Sequence, residues 1–389
     1  MKKLAIISTH PIQYNAPLFK LLQERNIIEI MVFYTWGDSV LINKFDPGFG
    51  IKTNIDKSFL ENYQYTFVLN TAKSKGSSHF MGIINPTLIE NIQTYNPTAL
   101  LVYGWSFYSH LLILRHFRNK IPILFRGDST IIDDLVFFKK LIRTQFLKWL
   151  YSNIDFALYV GKNNYDYYKM AGLNTSKLIY APHAIDNERF EKLSLLQSEK
   201  VVDFRNKLQI PKNDFIFLYA GKFEKKKNVE LLITAFMHCN FNQQVHLLLV
   251  GNGFLQNKLK NLALKNENIH FLDFQSYQDM PAVYDLSDVF ILPSKGPAET
   301  WGLSVNEAMA NGKPVIVSNK CGCAIDLIED YKNGFIFESE NKEDLSNKLL
   351  QLYSQRNSIS IMKENAKNKI ASYSFIKVAQ AIEDIVVNL

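Results

Sequence analysis

Apolar residues in this chain gather in short runs, and the stretches between the runs carry a helical period. Lys3 to Ser8, Leu100 to Tyr103, Ile121 to Phe125, Phe215 to Ala220, Val245 to Val250 and Asp288 to Leu292 are all of strand length. Runs so short and continuous, ended by turn residues, predict strands buried on both faces. Val229 to Phe236 predicts an amphipathic helix, and a second helix opens at Gly302, turns Leu303, Ala308 and Met309 inward, and stops at Gly312 with Pro314 just beyond. A last helix over 369–389 has Ile376, Val378, Ala379, Ile382 and Ile385 as its apolar positions. Strand and helix patterns alternate in both halves, which predicts doubly wound α/β domains. With 389 residues and 47% hydrophobic content, the chain is long enough for two domains with a sizeable core each. The expected boundaries are 1–186 for the first domain, 187–212 for a polar linker with a short helix, and 213–368 for the second domain.

Candidate chemistry is densest between Pro293 and Lys313, where Glu299 and Glu307 are separated by seven residues. Glu299 falls in the loop before the predicted helix, and Glu307 lies about one turn inside it. Both are then expected over one crevice above the strand ends, where the free amides of Trp301 to Ser304 and the positive helix end would meet a phosphate. Two glutamates on a helix would ordinarily be solvated charge. A second segment changes that reading. The strand ending at Ala220 runs into Gly221-Lys222-Phe223-Glu224-Lys225-Lys226-Lys227-Asn228 and then a helix. Glycine after a strand permits close backbone approach, and cations beside a departing diphosphate offset its growing charge. Lys225 and Lys226 read as an ordinary solvated turn.

These segments resemble the signature of retaining family-4 glycosyltransferases of the GT-B fold. The resemblance implies that Glu299 contacts a donor sugar and Glu307 a ribose, with Trp301 where phenylalanine is usual. Lys222 and Lys227 resemble the family's cation pair on the donor pyrophosphate, so Lys222, Lys227 and Glu299 are the implied catalytic residues. Gly221, Gly251 and the stretch Thr300, Trp301, Gly302, Leu303 and Ser304 are the implied donor-binding positions beside Glu307. Gly251-Asn252-Gly253 is a weak dinucleotide signal, since the third glycine and a later acidic residue are missing; it resembles the turn that lines the donor cleft. Phe271 to Gln275, including Phe274 and Gln275, is implied beside the nucleobase, with Asp273 where glycine is usual. Gly322-Cys323-Ala324-Ile325-Asp326 resembles a later Gly-Gly loop, and Tyr180 to Asp186 with Phe190 the segment closing the first domain, His183 standing where asparagine is common. The implied fold is two Rossmann-like domains facing a central cleft, with the helix over 369–389 crossing back to the first domain. No metal is implied and no cofactor, the nucleoside-diphosphate sugar being a co-substrate.

The first half matches the family less closely. The loop Thr9 to Pro17 after the first strand has no glycine, so His10, Gln13 and Tyr14 are the candidates to line an acceptor site there. Arg126 and Asp128 follow another strand where relatives carry a histidine. Arg126 reads either as a contact to donor phosphate or an anionic acceptor, or as a salt bridge to Asp128 or Asp133.

Charge is unevenly divided. Residues 1–185 hold 20 basic against 12 acidic residues, a net +8, and the rest of the chain is −1. Leu135 to Tyr151 sets Lys139, Lys140, Arg143 and Lys148 among Phe137, Phe138, Phe146 and Trp149. Such a helix suits an anionic lipid surface, or an apolar face turned to the domain core. Nucleic acid is not expected, because no recognition motif accompanies the charge. Pro97 to Leu114 is 18 residues without Asp, Glu, Lys or Arg, yet Gly104, Ser106, Ser109 and His110 interrupt it, so a strand and a buried helix are expected there. Cys239, Cys321 and Cys323 have neither a disulfide pattern nor zinc spacing, which fits a reducing cytosol, and residues 1–20 lack a signal-peptide layout.

The expected function is transfer of a sugar from a nucleoside diphosphate, UDP being the first choice, to a surface glycan or lipid-linked glycan. The expected location is cytoplasmic, with a peripheral seat on the inner face of the plasma membrane if the basic helix meets lipid. A nucleotide-sugar epimerase or hydrolase of the same fold, or a non-catalytic sugar-nucleotide-binding partner, are the alternatives.

Overall fold

The computed structural model describes the chain except residues 39–43, 47–50, 54–55, 133–136 and 197. Contacts divide it into two units. Met1–Lys44, Lys52–Ala184 and Phe375–Leu389 form the first, and Phe45–Ile51 with Ile185–Ser374 the second. Up to residue 180 the strands are β1 (Lys3–Ser8), β2 (Glu29–Tyr34), β3 (Lys44–Asp46), β4 (Ile51–Thr53), β5 (Tyr65–Phe67), β6 (Ala99–Tyr103), β7 (Ile123–Arg126), β8 (Phe156–Tyr159) and β9 (Leu178–Tyr180). They are followed by β10 (Phe215–Ala220), β11 (Val245–Val250), β12 (Ile269–Leu272), β13 (Val289–Leu292), β14 (Val315–Ser318) and β15 (Gly334–Phe337).

The first unit is built on a seven-stranded sheet in the order β5-β2-β1-β6-β7-β8-β9, and β3 pairs with β4 in a separate ribbon. The second unit has a six-stranded sheet in the order β12-β11-β10-β13-β14-β15. The pairings of β1 with β2 and β6, and of β10 with β11 and β13, are parallel. Each order reverses once, between β1 and β6 and between β10 and β13. At such a reversal the loops leave in opposite directions, and a crevice opens at the carboxyl ends of the strands.

Burial explains why the strands read as unbroken apolar runs. In β1, Ala5 and Ile7 face a core with Leu88, Ile92, Ile113, Leu114, Leu147 and Leu150 from three helices. Leu4 and Ile6 face the other way, against Leu18, Phe19 and Leu22 and against Val378, Ala379 and Ile382. Covering both faces with helices leaves no polar alternation along the strand. All six residues of β10 and of β11 are buried likewise.

The segment 187–212, read from its polarity as a linker, is two helices, Asn187–Leu196 and Ser198–Leu208, counted with the second unit. Phe190 anchors it: the side chain is fully buried and meets the rings of Tyr277 and Tyr284 edge-on. The final helix, expected from 369, begins at Phe375 and counts with the first unit. Arg25 grips it from the helix Ala16–Arg25 through paired bonds to the buried carboxylate of Glu383 at 2.9 and 3.0 Å. Pro97 to Leu114 is β6 followed by the helix Tyr108–Phe117. Among the described residues no helix is long and apolar enough to cross a membrane.

Candidate functional site

The second unit's crevice is assembled from three loops at the ends of β10, β11 and β13. The loops after β10 and β11 touch backbone to backbone: a Cβ on Gly251 would lie 2.0 Å from the carbonyl oxygen of Gly221, so only glycine fits there. After β10 the buried Tyr219 donates its hydroxyl to the carbonyl of Lys222 at 2.8 Å and fixes the start of the lysine turn. Lys225 is exposed and Lys226 pairs with Glu224 at 3.6 Å, as a solvated turn would have them. Lys227 is different. Its Nζ donates to Glu299 Oε2 at 2.5 Å, and both side chains are largely enclosed.

Glu299 is held from three sides. Ser294 Oγ donates to the same carboxylate oxygen at 2.8 Å. The amides of Gly322 and Cys323 donate to the carbonyls of Glu299 and Trp301, each at 3.0 Å, so the 321–323 turn fastens the loop from beneath. Burial pushes the Cys321 and Cys323 thiols up, which keeps both neutral under the loop. The loop ends at Gly302, which takes φ 102° as the N-cap of the helix Leu303–Ala310. A left-handed cap of this kind strains any residue but glycine. The first amides of that helix lack intrahelical acceptors, and its dipole adds positive potential at the same end.

Glu307 sits inside that helix, 5% exposed, and accepts from the hydroxyl of Tyr284 at 2.8 Å. Trp301 is 3% exposed, and its Nε1 donates to Asn306 Oδ1 at 2.8 Å. The indole is therefore a packing element under the loop, and the backbone of Trp301 is what the crevice has of it. Beyond β12, the amide of Phe274 donates to Asn252 Oδ1 at 2.5 Å, and Asn252 Nδ2 donates to Asp273 at 3.2 Å. Phe274 and Gln275 are half-buried beside the Gly251 turn that this bond draws in. Lys222 and Thr300 lie half-buried in the loops after β10 and β13, and Ser304, also half-buried, is the second residue of the helix Leu303–Ala310. Sequence reasoning missed Tyr219, Ser294 and Tyr284, because a lone hydroxyl at a strand end or in a helix carries no spacing signal.

The first unit's candidates lie in the loop after β1 and at the end of β7. His10 Nδ1 and Thr9 Oγ1 are 2.9 Å apart, and the imidazole stands edge-on to Trp36 at 5.1 Å. Gln13 and Tyr14 are half-buried in the same loop. Arg126 is buried, and its Nη1 donates to the carbonyl of Ala181 at 2.8 Å and its Nη2 to that of Pro182 at 3.0 Å. Burial lowers its pKa. Asp128 lies 3.6 Å from His183 Nε2, and Asp133 falls outside the described residues. A further buried group is His110, with Nε2 at 2.8 Å from Thr35 Oγ1 and Nδ1 facing the carbonyls of Tyr103 and Gly104. Burial pulls its pKa down to about 4, so it is neutral at pH 7. Among the described residues no three His, Cys, Asp or Glu side chains come together as a metal site.

Residues 201–369 match the family model described as glycosyl transferases group 1. This segment belongs to the group 1 glycosyltransferases. The group 1 segment contains every residue of the Lys227–Glu299 crevice. Over 222 residues the chain is 27% identical to an uncharacterized glycosyltransferase of Methanocaldococcus jannaschii, covering 56% of this chain and 61% of that one. Over 220 residues it is 27% identical to the UDP-Gal:alpha-D-GlcNAc-diphosphoundecaprenol alpha-1,3-galactosyltransferase of Escherichia coli, covering 55% and 54%. The match thus spans little more than half the length of these curated relatives. In three dimensions the chain is similar over its whole length to Anabaena Alr3699/HepE, whose crystal structure contains UDP and glucose, with a TM-score of 0.70 at 16% identity and full coverage of both chains. A glycosyltransferase from Rickettsia africae is similar at a TM-score of 0.73 and 17% identity, covering 100% of this chain and 98% of that one. The group 1 segment and the two doubly wound sheets together place the chain in the GT-B fold.

Proposed function

We propose that the protein is a retaining glycosyltransferase that moves a sugar from a UDP-sugar to a surface glycan or a lipid-linked glycan. The observation that carries this reading is the Lys227–Glu299 pair, braced by Ser294 beside the amino end of Leu303–Ala310. The diphosphate of the donor would lie over those amides with Lys222 and Lys227 against it, and Glu299 would accept hydrogen bonds from sugar hydroxyls. Glu307, set in a polar contact with Tyr284, is the group for the ribose. As the glycosidic bond breaks, charge grows on the departing phosphate, and prearranged cations and amides stabilise it more than they stabilise the bound donor. The departing phosphate oxygen takes the proton of the attacking hydroxyl on the same face, so the anomeric configuration is retained and the lysines do the electrostatic work a metal does elsewhere. UDP is favoured by its presence in the Anabaena protein of the same fold, and a lipid-linked acceptor by the name of the Escherichia coli relative.

The test is incubation with UDP-, GDP- and ADP-sugars and a lipid-linked glycan acceptor, with product read by NMR. The expected result is transfer from the UDP-sugar with the donor's configuration kept, undiminished by EDTA. Inversion, or full dependence on added magnesium or manganese, sinks the mechanism. Turnover of donor without acceptor points to the epimerase or hydrolase reading.

A seat on anionic lipid is part of the same proposal, and its support is on the helix Phe137–Tyr151. Ile142 is 73% and Trp149 42% exposed, Leu141 and Phe146 are exposed beside them, and Arg143 and Lys148 share the surface. Apolar side chains set among cations suit the boundary between headgroups and acyl chains. Sedimentation with anionic vesicles at low salt, released as salt rises, is expected; Arg143→Gln with Lys148→Gln should weaken it, and vesicle binding unaffected by that pair removes the helix from the proposal.

A further inference from the structure

Arg189 stands two residues inside the helix Asn187–Leu196, and its backbone amide donates to Asp186 Oδ1 at 3.0 Å. Its side chain reaches the turn that follows β12. Nη2 donates to the carbonyl of Tyr277 at 3.0 Å, and the guanidinium lies 3.6 Å over the centre of the Tyr277 ring. A flat cation held by a carbonyl on one edge and an aromatic face below has one orientation, and so does the tyrosine beneath it.

The rest of that turn is fastened at its ends. Asn252 holds the amide of Phe274 and the carboxylate of Asp273 at the start, and Lys200 pairs with Asp279 at the finish. Arg189 supplies the hold in the middle. The neighbouring Phe190 lies against both Tyr277 and Tyr284, and Tyr284 donates to Glu307. One turn of one helix thus sets the 273–279 turn and touches the contact that places Glu307.

If the diphosphate lies at the reversal between β10 and β13, the nucleoside must extend over the neighbouring strand ends. The order β12-β11-β10 leads it across the Gly251 turn toward 273–279. We propose that Arg189 is a positioning residue for nucleotide selectivity: by pinning Tyr277 it fixes the turn against which the base is read. This rests on the donor site proposed above. Discrimination between bases needs polar groups already in place, because a mobile turn adapts to each base at similar cost.

Calorimetry with UDP, GDP and ADP on the full chain tests the role, comparing the parent with Arg189→Lys, Arg189→Ala and Tyr277→Leu. Arg189→Ala should lower affinity for the preferred nucleotide about tenfold and shrink its margin over the other two by a similar factor. Arg189→Lys keeps a cation without the flat stack and should fall between, and Tyr277→Leu should reproduce the loss if Arg189→Ala fails to fold. A merely structural role would lower the melting temperature and leave the ratio between nucleotides where it was; that outcome overturns the proposal. A parent protein that binds none of the three overturns the donor site itself and this role with it.

Discussion

The two sheets reverse in the same way, yet the crevices at their reversals have opposite chemistry. Between β10 and β13 the loops are short on side-chain bulk: Gly221, Gly251 and Gly302 let backbone approach backbone, and charge comes from Lys227 held by Glu299. Between β1 and β6 the loops contain imidazole and aromatic rings, His10 against Trp36 and His110 against Thr35. The buried cation nearby, Arg126, is occupied by two carbonyls of its own chain. One topology therefore carries two crevices of different chemistry. Amides and lysines suit a diphosphate, and rings with scattered hydrogen-bonding edges suit the faces and hydroxyls of a sugar.

The largest expected effect tests the charged half of that contrast. Lys227→Ala removes a cation whose benefit grows with charge on the departing phosphate, so turnover should fall on the order of 100-fold or more while donor affinity changes less. Arg126→Met in the first unit should instead cost stability, because two buried carbonyls lose their donor, with nucleotide affinity kept. Steady-state kinetics with calorimetry on both variants separates the outcomes. A comparable fall in turnover and in affinity for Lys227→Ala would mean that the lysine binds donor and transition state alike. Loss of nucleotide binding in Arg126→Met would break the division of labour between the two crevices.

A smaller effect sharpens the picture inside the second crevice. Glu307→Ala should weaken binding of the free nucleotide by roughly 1.5–3 kcal/mol, the range for a charged hydrogen bond. Glu299→Ala should leave that affinity closer to the parent and lower turnover, since the proposed role of Glu299 is to place the sugar and its carboxylate holds Lys227. Tyr284→Phe removes the hydroxyl on Glu307 and should follow Glu307→Ala at reduced size. Equal loss of nucleotide affinity in Glu299→Ala and Glu307→Ala would contradict the separate roles.

The contrast also decides what could be read from residues alone. Gly221 stands directly after β10 and Gly302 caps the helix that follows β13, where few residue types are compatible with the backbone, whereas Lys227 and Glu299 are marked only by their resemblance to a family motif. That Lys227 meets Glu299 across 72 residues of chain could not be read from either segment. The direction of a side chain was equally hidden. Trp301 looks like a donor contact from its place in the motif, but Asn306 five residues on takes its indole N–H and the ring is core. Phe190, which the sequence suggests as part of the segment closing the first domain, is buried against Tyr277 and Tyr284, and the polar look of 187–212 concealed the attachment of two helices to the second unit. In the first unit the loop after β1 has no glycine to mark close approach, and nothing in the sequence near Arg126 shows that its guanidinium donates to the carbonyls of Ala181 and Pro182, 55 and 56 residues on.

The smallest expected effect compares how the two units meet acid. His110 lies at the crevice end of the first sheet and is pulled down to about 4 by burial. His270 lies at the opposite end of the second sheet, 3.0 Å from His246, which in turn faces Asp214 at 2.9 Å; burial first, and His246 second, pull it to about 4. Both folded values are below that of an unfolded histidine, about 6.5, so both rings are neutral in the native protein at pH 7. As pH falls below about 6.5 the unfolded chain takes up these protons first, and stability is lost progressively until pH nears 4. His270 is partly exposed, so its share is the smaller. Thr35, the Tyr103 and Gly104 carbonyls and the Phe107 ring face His110, and no carboxylate among these contacts offsets a charge there. His110→Gln, which keeps a donor and an acceptor without the titration, should flatten the loss of melting temperature between pH 6.5 and 4 by a few degrees. His270→Gln should flatten it less. Nucleotide affinity should be untouched in both variants, since neither ring is at the second unit's crevice. An acid profile unchanged by His110→Gln would show that carboxylates elsewhere, and not this imidazole, set the acid limit of the first unit.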